Sequence, residues 1–215
     1  MTGYSGFVLF IVAFYAAINF SRFYTATKKI FHFSLAAAAL FLAIIGISGY
    51  LPEFFPVMNS EFIVEWATVF SVAFLLTGVA ALIRDSKLLH TDFPKYLVFI
   101  PLLIIVVYPL VIEATVIKKL IIAIYQGGAL MIGLLIYGYR ASGKSEYGYL
   151  VVGLVFFAIT YILYWLPQSV FSLPEYAWIL LTASGILALT VGYNHIYNPV
   201  DELPDAVDRK ENWFV

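Results

Sequence analysis

Residues 62–83 read FIVEWATVFSVAFLLTGVAALI, and Glu65 is the only charged side chain between Phe62 and Ile83. A membrane-crossing α-helix needs about 20 consecutive, mostly apolar residues. This stretch meets that length with one carboxylate inside it. Working outward, six further stretches read the same way: Tyr4–Phe20, Phe33–Leu51, Tyr96–Ile112, Lys119–Tyr139, Gly148–Val170 and Tyr176–Tyr197. The fourth segment, Tyr96–Ile112, is short and contains Pro101 and Pro109. Proline is tolerated in membrane helices where neighbours satisfy the freed carbonyls. The expected fold is therefore an all-α integral membrane bundle of seven transmembrane helices over residues 1–197. A short acidic tail, residues 198–215, follows it.

Composition agrees with this reading. Of 215 residues, 63% are hydrophobic and 12% charged, where soluble domains carry about 45–50% and about 25%. One soluble core cannot absorb that much apolar surface. The net charge of −1 gives no footprint for nucleic acid. No cysteine is present, which excludes disulfides, thiolate nucleophiles and cysteine metal sites. The first segment lacks a basic n-region and an A-x-A cleavage site, so it reads as a retained helix rather than a signal peptide.

Lysine and arginine set the expected orientation. One set of loops carries Arg22, Lys28, Lys29, Arg84, Lys87, Lys95, Arg140 and Lys144, and the tail adds Arg209 and Lys210. The other side has Lys118 and Lys119 beside Glu53, Glu61, Glu113 and Glu175. This bias places the N-terminus outside the cell membrane and the C-terminus in the cytoplasm. Most of the aromatic residues read as interfacial belts, with Tyr50, Phe54 and Phe55 at one face and Phe23, Tyr24, Tyr137 and Tyr139 at the other.

An offset of 115 residues lays Lys29, Phe41, Ala43, Ile44, Leu51 and Pro52 on Lys144, Phe156, Ala158, Ile159, Leu166 and Pro167. Chance matching of apolar helices and a three-plus-one-plus-three repeat both account for this.

Glu65 is the first candidate for function, because an acid inside a span is expensive and is functional by default. It lies about one turn from the outer interface, so a hydrated rim residue is the competing reading. Helical spacing puts Thr68, Val69 and Val72 on its face, with Trp66 pointing elsewhere. Tyr161 and Trp165 are four apart in the sixth helix, and Thr182, Ile186 and Thr190 form a stripe on the seventh. If these faces converge, Glu65, Trp66, Thr68, Tyr161, Trp165 and Thr190 line an aromatic ligand pocket with a few polar groups. Ordinary packing between helices is the competing reading. Gly127, Gly128, Gly133 and Gly138 are expected to let helices approach closely. His32, His90 and His195 all map to the basic side without metal-ligand spacing, so no metal site and no catalytic residue are expected.

The segment count and orientation resemble those of microbial (type 1) rhodopsins. Thr27-Lys28-Lys29-Ile30-Phe31 resembles that family's approach to the second helix. Glu65-Trp66 resembles its carboxylate–tryptophan pair, where the acid is counterion to the retinal Schiff base. Tyr161 to Leu166 resembles the retinal-contacting run of the sixth helix, and Thr190-Val191-Gly192-Tyr193 the end of the seventh. The departures are specific. The family's retinal-binding lysine falls on Thr190, its second carboxylate on Ile186, its third-helix arginine on Phe62, its proton donor on Leu76 and one retinal-sandwiching tryptophan on Ala158. A Schiff base needs an amine, so the resemblance implies an opsin relative that does not hold retinal covalently.

Four readings compete. The first is a non-enzymatic, ligand-binding or sensory membrane protein holding a retinoid, carotenoid or quinone non-covalently. Membrane lipid surrounds it, and a cytoplasmic protein partner takes its signal from the loops or tail. The second is a small transporter of the SWEET or PQ-loop type, to which Pro167-Gln168 is similar, with Asn19, Gln126 and Thr160 as mid-depth polar groups. The third is a lipid-directed enzyme using the histidines as metal ligands. The fourth is a structural subunit of a membrane complex.

Overall fold

The computed structural model describes residues 3–50, 59–85, 94–111, 115–165, 174 and 176–197, and every regular element among them is helical. The long helices are α1 (Gly3–Thr27), α2 (Ile30–Ser48) and α3 (Ser60–Asp85). The fourth segment is irregular: 3₁₀ turns Lys95–Leu103 and Tyr108–Val111 flank α4, a single α-helical turn at Ile104–Val107. Then come α5 (Thr115–Gly143), a 3₁₀ turn Ser145–Tyr147, α6 (Gly148–Trp165) and α7 (Tyr176–Ile196).

Six of these helices, all but α4, are long and apolar enough to cross a membrane. The segment around α4 is shorter than the rest, so the expectation of seven regular spanning helices meets six here. Pro101 and Pro109 explain the difference. Each lacks an N–H and crowds the carbonyl four residues back, which favours the i→i+3 pattern over a regular α-helix.

α1, α3 and α5 are longer than their apolar stretches. α1 runs to Thr27, not Phe20, because Asn19, Ser21 and Arg22 are polar yet compatible with a helix. It stops at Lys28, which takes φ 55 and returns its N–H to the Tyr24 carbonyl at 2.8 Å. That left-handed residue closes the helix end and turns the chain straight into α2.

Packing follows chain order. α1 lies on α2, α2 on α3, α3 on the α4 segment and on α5, α5 on α6, α6 on α7, and α7 returns to α1. The long helices thus close a ring. Small residues make the seams. Ala13, Ala16 and Ala17 of α1 and Ala36, Ala39 and Ala43 of α2 are buried. In lipid, close contact of this kind replaces the hydrophobic drive that water supplies. Large apolar side chains point outward instead: Phe7, Ile11, Phe62, Leu135 and Val152 are all exposed.

The glycines that bring helices together differ from those expected. A Cβ on Gly127 would meet the Tyr161 ring and one on Gly133 would meet Leu154, but around Gly128 and Gly138 the space is open. The tightest approaches are at Gly6 with Gly46 between α1 and α2, and at Gly153 and Gly192 between α6 and α7.

The repeat has one structural echo. Lys29 and Lys144 both sit in extended backbone immediately before a helical start. Its Leu51-Pro52 and Leu166-Pro167 ends, together with Gln168, His90 and the tail from residue 198, lie outside the described residues.

Candidate functional site

Glu65 stands on the second turn of α3, and its partners come from two other segments. Tyr108 Oη donates to Glu65 Oε1 at 2.8 Å, and Lys118 Nζ donates to the same oxygen at 2.8 Å. The lysine also lies 4.9 Å from the centre of the Tyr108 ring. The side chains are 20% exposed for Lys118 and 37% for Glu65, so the pair is half-buried rather than sealed. An ion pair across α3 and α5, roofed by a tyrosine, therefore stands where the sequence showed an isolated acid. Glu65 Oε2 has no hydrogen-bond partner among the described residues.

Both partners escaped the sequence reading. Tyr108 was hidden in the proline-interrupted fourth segment. Lys118 read as a loop cation, yet α5 begins at Thr115 and draws it into the first turn. One signal was present: Lys118 and Lys119 are the two cations on the side that the other positive charges avoid, and Lys118 lies about one turn into its helix, as Glu65 does in α3.

Trp66 was expected to face away from Glu65, and along the helix it does. The two are nevertheless joined by a third group. Tyr108 meets the Trp66 ring edge-on, centroids 5.9 Å apart at 70°, while its hydroxyl reaches Glu65. Trp66 also contacts Phe62 and Phe70, and Phe70 stacks on Phe41 of α2 at 4.8 Å. Phe62 is 58% exposed on the outside of this aromatic ladder.

The remaining candidates lie on the far side of α5 or within their own helices. Tyr161 Oη donates to the Ala123 carbonyl at 3.3 Å, and Trp165 Nε1 donates to Gln126 Oε1 at 3.0 Å. Both bonds tie α6 to α5, so α5 is the wall shared with the Glu65 cluster. Thr68 donates to the Val64 carbonyl, Thr182 to Trp178 and Thr190 to Ile186. Thr190 is fully buried. Its hydroxyl thus satisfies its own helix.

A second polar cluster, at the opposite end of the bundle, was not anticipated. His32 is 2% exposed. Its Nδ1 lies 2.6 Å from Thr27 Oγ1, and its Nε2 hydrogen-bonds Tyr193 Oη. Thr27 Oγ1 also donates to the Phe23 carbonyl at 2.9 Å. The assignment that satisfies all of these is a neutral imidazole with Nδ1–H donating to Thr27 and Nε2 accepting from Tyr193. Asn19 Nδ2 donates to Asn194 Oδ1 at 2.6 Å one layer away. Phe20 and Phe23 pack edge-on against Tyr193. Together these bonds pin α1, α2 and α7 where the ring closes. Tyr193→Phe removes one bond from a buried imidazole, and the expected loss is about 1 kcal/mol. Chemical unfolding in detergent measures it, and an unchanged midpoint refutes the bond.

No three His, Asp or Glu side chains among the described residues are grouped to hold a metal. His195 instead packs edge-on to Tyr149. Comparison of the chain with protein-family models, with curated proteins and with solved structures returned no match.

Proposed function

We propose that this chain is a multi-pass membrane protein that binds an apolar small molecule non-covalently and passes the binding signal to a cytoplasmic partner. The observation that carries the reading is the Glu65–Lys118–Tyr108 cluster. An intramembrane ion pair is costly to assemble and is a site by default. This one keeps capacity in reserve: Oε2 of Glu65 lacks a partner, and Lys118 has donors beyond the one it gives to Oε1. A ligand with an apolar body and one polar end matches that arrangement. A carbonyl accepts from Lys118, a hydroxyl donates to Glu65, and Trp66 offers a ring face beside them. Retinoids and prenylated quinones have this form, as does a carotenoid oxygenated on one ring.

The ring order of the helices supports a scaffold similar to microbial rhodopsins, with α1 beside α7. The fourth segment fits a seventh crossing. At roughly 2.0 Å per 3₁₀ residue and 1.5 Å per α residue, residues 95–111 extend about 30 Å, the thickness of a bilayer core. Lys28, Lys29, Arg84, Arg140 and Lys144 lie toward the end where α1, α3 and α5 finish. The positive-inside rule makes that the cytoplasmic end.

The test is an absorption spectrum of the detergent-purified protein with mass spectrometry of its organic extract. A co-purifying retinoid, carotenoid or quinone is expected, retained several-fold less well by Glu65→Gln. A colourless preparation yielding phospholipid alone overturns the reading, and Glu65 is then to be tested as a proton-coupling group in solute uptake.

A further inference from the structure

At the opposite end of the bundle from Glu65, an open cavity of about 500 Å³ lies where α5 ends and α7 runs out. Its lining includes Arg140, Lys144, Tyr139, Tyr147 and Tyr197. We infer that this cavity binds a phosphate-bearing anion, through Arg140 and Lys144.

Three features carry the inference. The first is charge that no described residue compensates. Arg140 and Lys144 lie one helical turn apart, and neither side chain has a carboxylate or hydrogen-bonding partner among the described residues. Glu146, the nearest acid in sequence, is exposed and does not line the cavity. The second is preorganisation. The Arg140 guanidinium lies over two aromatic rings, 5.9 Å from the centre of Tyr137 and 5.8 Å from that of Tyr147. Those rings are themselves stacked, 6.4 Å apart at 29°. These ring contacts restrain the guanidinium, and a guanidinium restrained by aromatic rings still has its N–H donors to give. A planar donor edge beside a second cation matches a phosphate better than a carboxylate or a halide. The third is position. The cavity is at the end of helices long and apolar enough to cross a bilayer, and basic pockets at the ends of spanning helices recognise phospholipid headgroups.

The cavity is also wired to the buried cluster. Tyr197 lines it and stacks on Tyr193 at 4.5 Å, and Tyr193 hydrogen-bonds His32. An anion seated on Arg140 thus abuts the contacts that join α7 to α1 and α2. The inference does not depend on the Glu65 cluster.

The experiment titrates the full delipidated chain in neutral detergent with short-chain phosphatidylglycerol, short-chain phosphatidylcholine and inorganic phosphate, read by calorimetry. Saturable binding of phosphatidylglycerol is expected, at least tenfold weaker in Arg140→Gln/Lys144→Gln and at least threefold weaker in Lys144→Gln alone. The single variant guards against misfolding, because the Lys144 side chain is exposed and its melting temperature should match that of the parent. Arg140→Lys, which keeps the charge but loses the planar edge, should lie between parent and double variant. Competition by inorganic phosphate at similar concentration assigns the site to the free anion. Binding of the lipid without such competition assigns it to the headgroup. Equal binding by parent and double variant, or phosphatidylcholine binding as tightly as phosphatidylglycerol, overturns the inference.

Discussion

Gly46→Ala is expected to destabilise the protein by about 2–3 kcal/mol, the upper range for overpacking a tight seam. A Cβ at that position would lie 2.6 Å from the backbone nitrogen of Phe10 and 2.7 Å from the Gly6 carbonyl oxygen. These are backbone atoms and cannot rotate aside. α1 must move bodily away from α2, and the buried alanines along the seam lose contact in lipid, where close contact is what holds helices together. Gly6→Ala should behave likewise, since its Cβ would lie 2.6 Å from the Gly46 carbonyl oxygen. Gly128→Ala and Gly138→Ala are the controls. Nothing lies within 4 Å of either added methyl, and alanine is the better helix former by up to about 1 kcal/mol. They should be neutral or slightly stabilising. Thermal unfolding of the four variants in one detergent decides the matter. Equal behaviour of Gly46→Ala and Gly128→Ala would mean that α1 and α2 do not meet as described.

Lys118→Met should be the second most damaging change, at about 1–3 kcal/mol. Removing one partner of a buried pair leaves the other charge uncompensated, which costs about 3–5 kcal/mol when both are sealed from water. The figure is lower here because the Glu65 side chain is 37% exposed. The pair is best isolated by a double-mutant cycle. Glu65→Gln/Lys118→Met should recover much of what Lys118→Met loses, giving a coupling of about 1–2 kcal/mol. Tyr108→Phe, which removes the other donor to the same oxygen, should add a smaller loss. Strict additivity of Glu65→Gln and Lys118→Met would show that the two side chains are not paired. The cycle also bears on ligand binding. If the cluster is the site, both single variants lose retained ligand, whatever their stability.

Much of the architecture was legible from residue chemistry alone. Apolar stretches of about 20 residues located six long helices, because a bilayer imposes a length and a composition that hydropathy records directly. Helix ends were less legible. Hydropathy reports where a helix is apolar, not where its backbone hydrogen bonds stop, so α1 outran its prediction by seven residues to Thr27. The fourth segment was flagged by Pro101 and Pro109, but how far it departs from a regular helix depends on what the neighbouring carbonyls meet.

Residue chemistry is enough to read an all-helical chain with the apolar lengths of a multi-pass membrane protein, and to single out Glu65 as an acid within one of those lengths. Those conclusions rest on local quantities: run length, charge spacing and proline placement. Tertiary structure alone decided who meets whom. It brought Lys118 and Tyr108, 53 and 43 residues away, onto Glu65. It joined His32 to Tyr193 across 161 residues, and it selected Gly6 and Gly46 as a seam while leaving Gly128 in open space. The reason is physical. Inside lipid, every helix face is apolar enough to be acceptable, so composition does not say which face turns inward. That choice is made by shape and by the few polar groups that must find one another, and both depend on residues far apart in the chain.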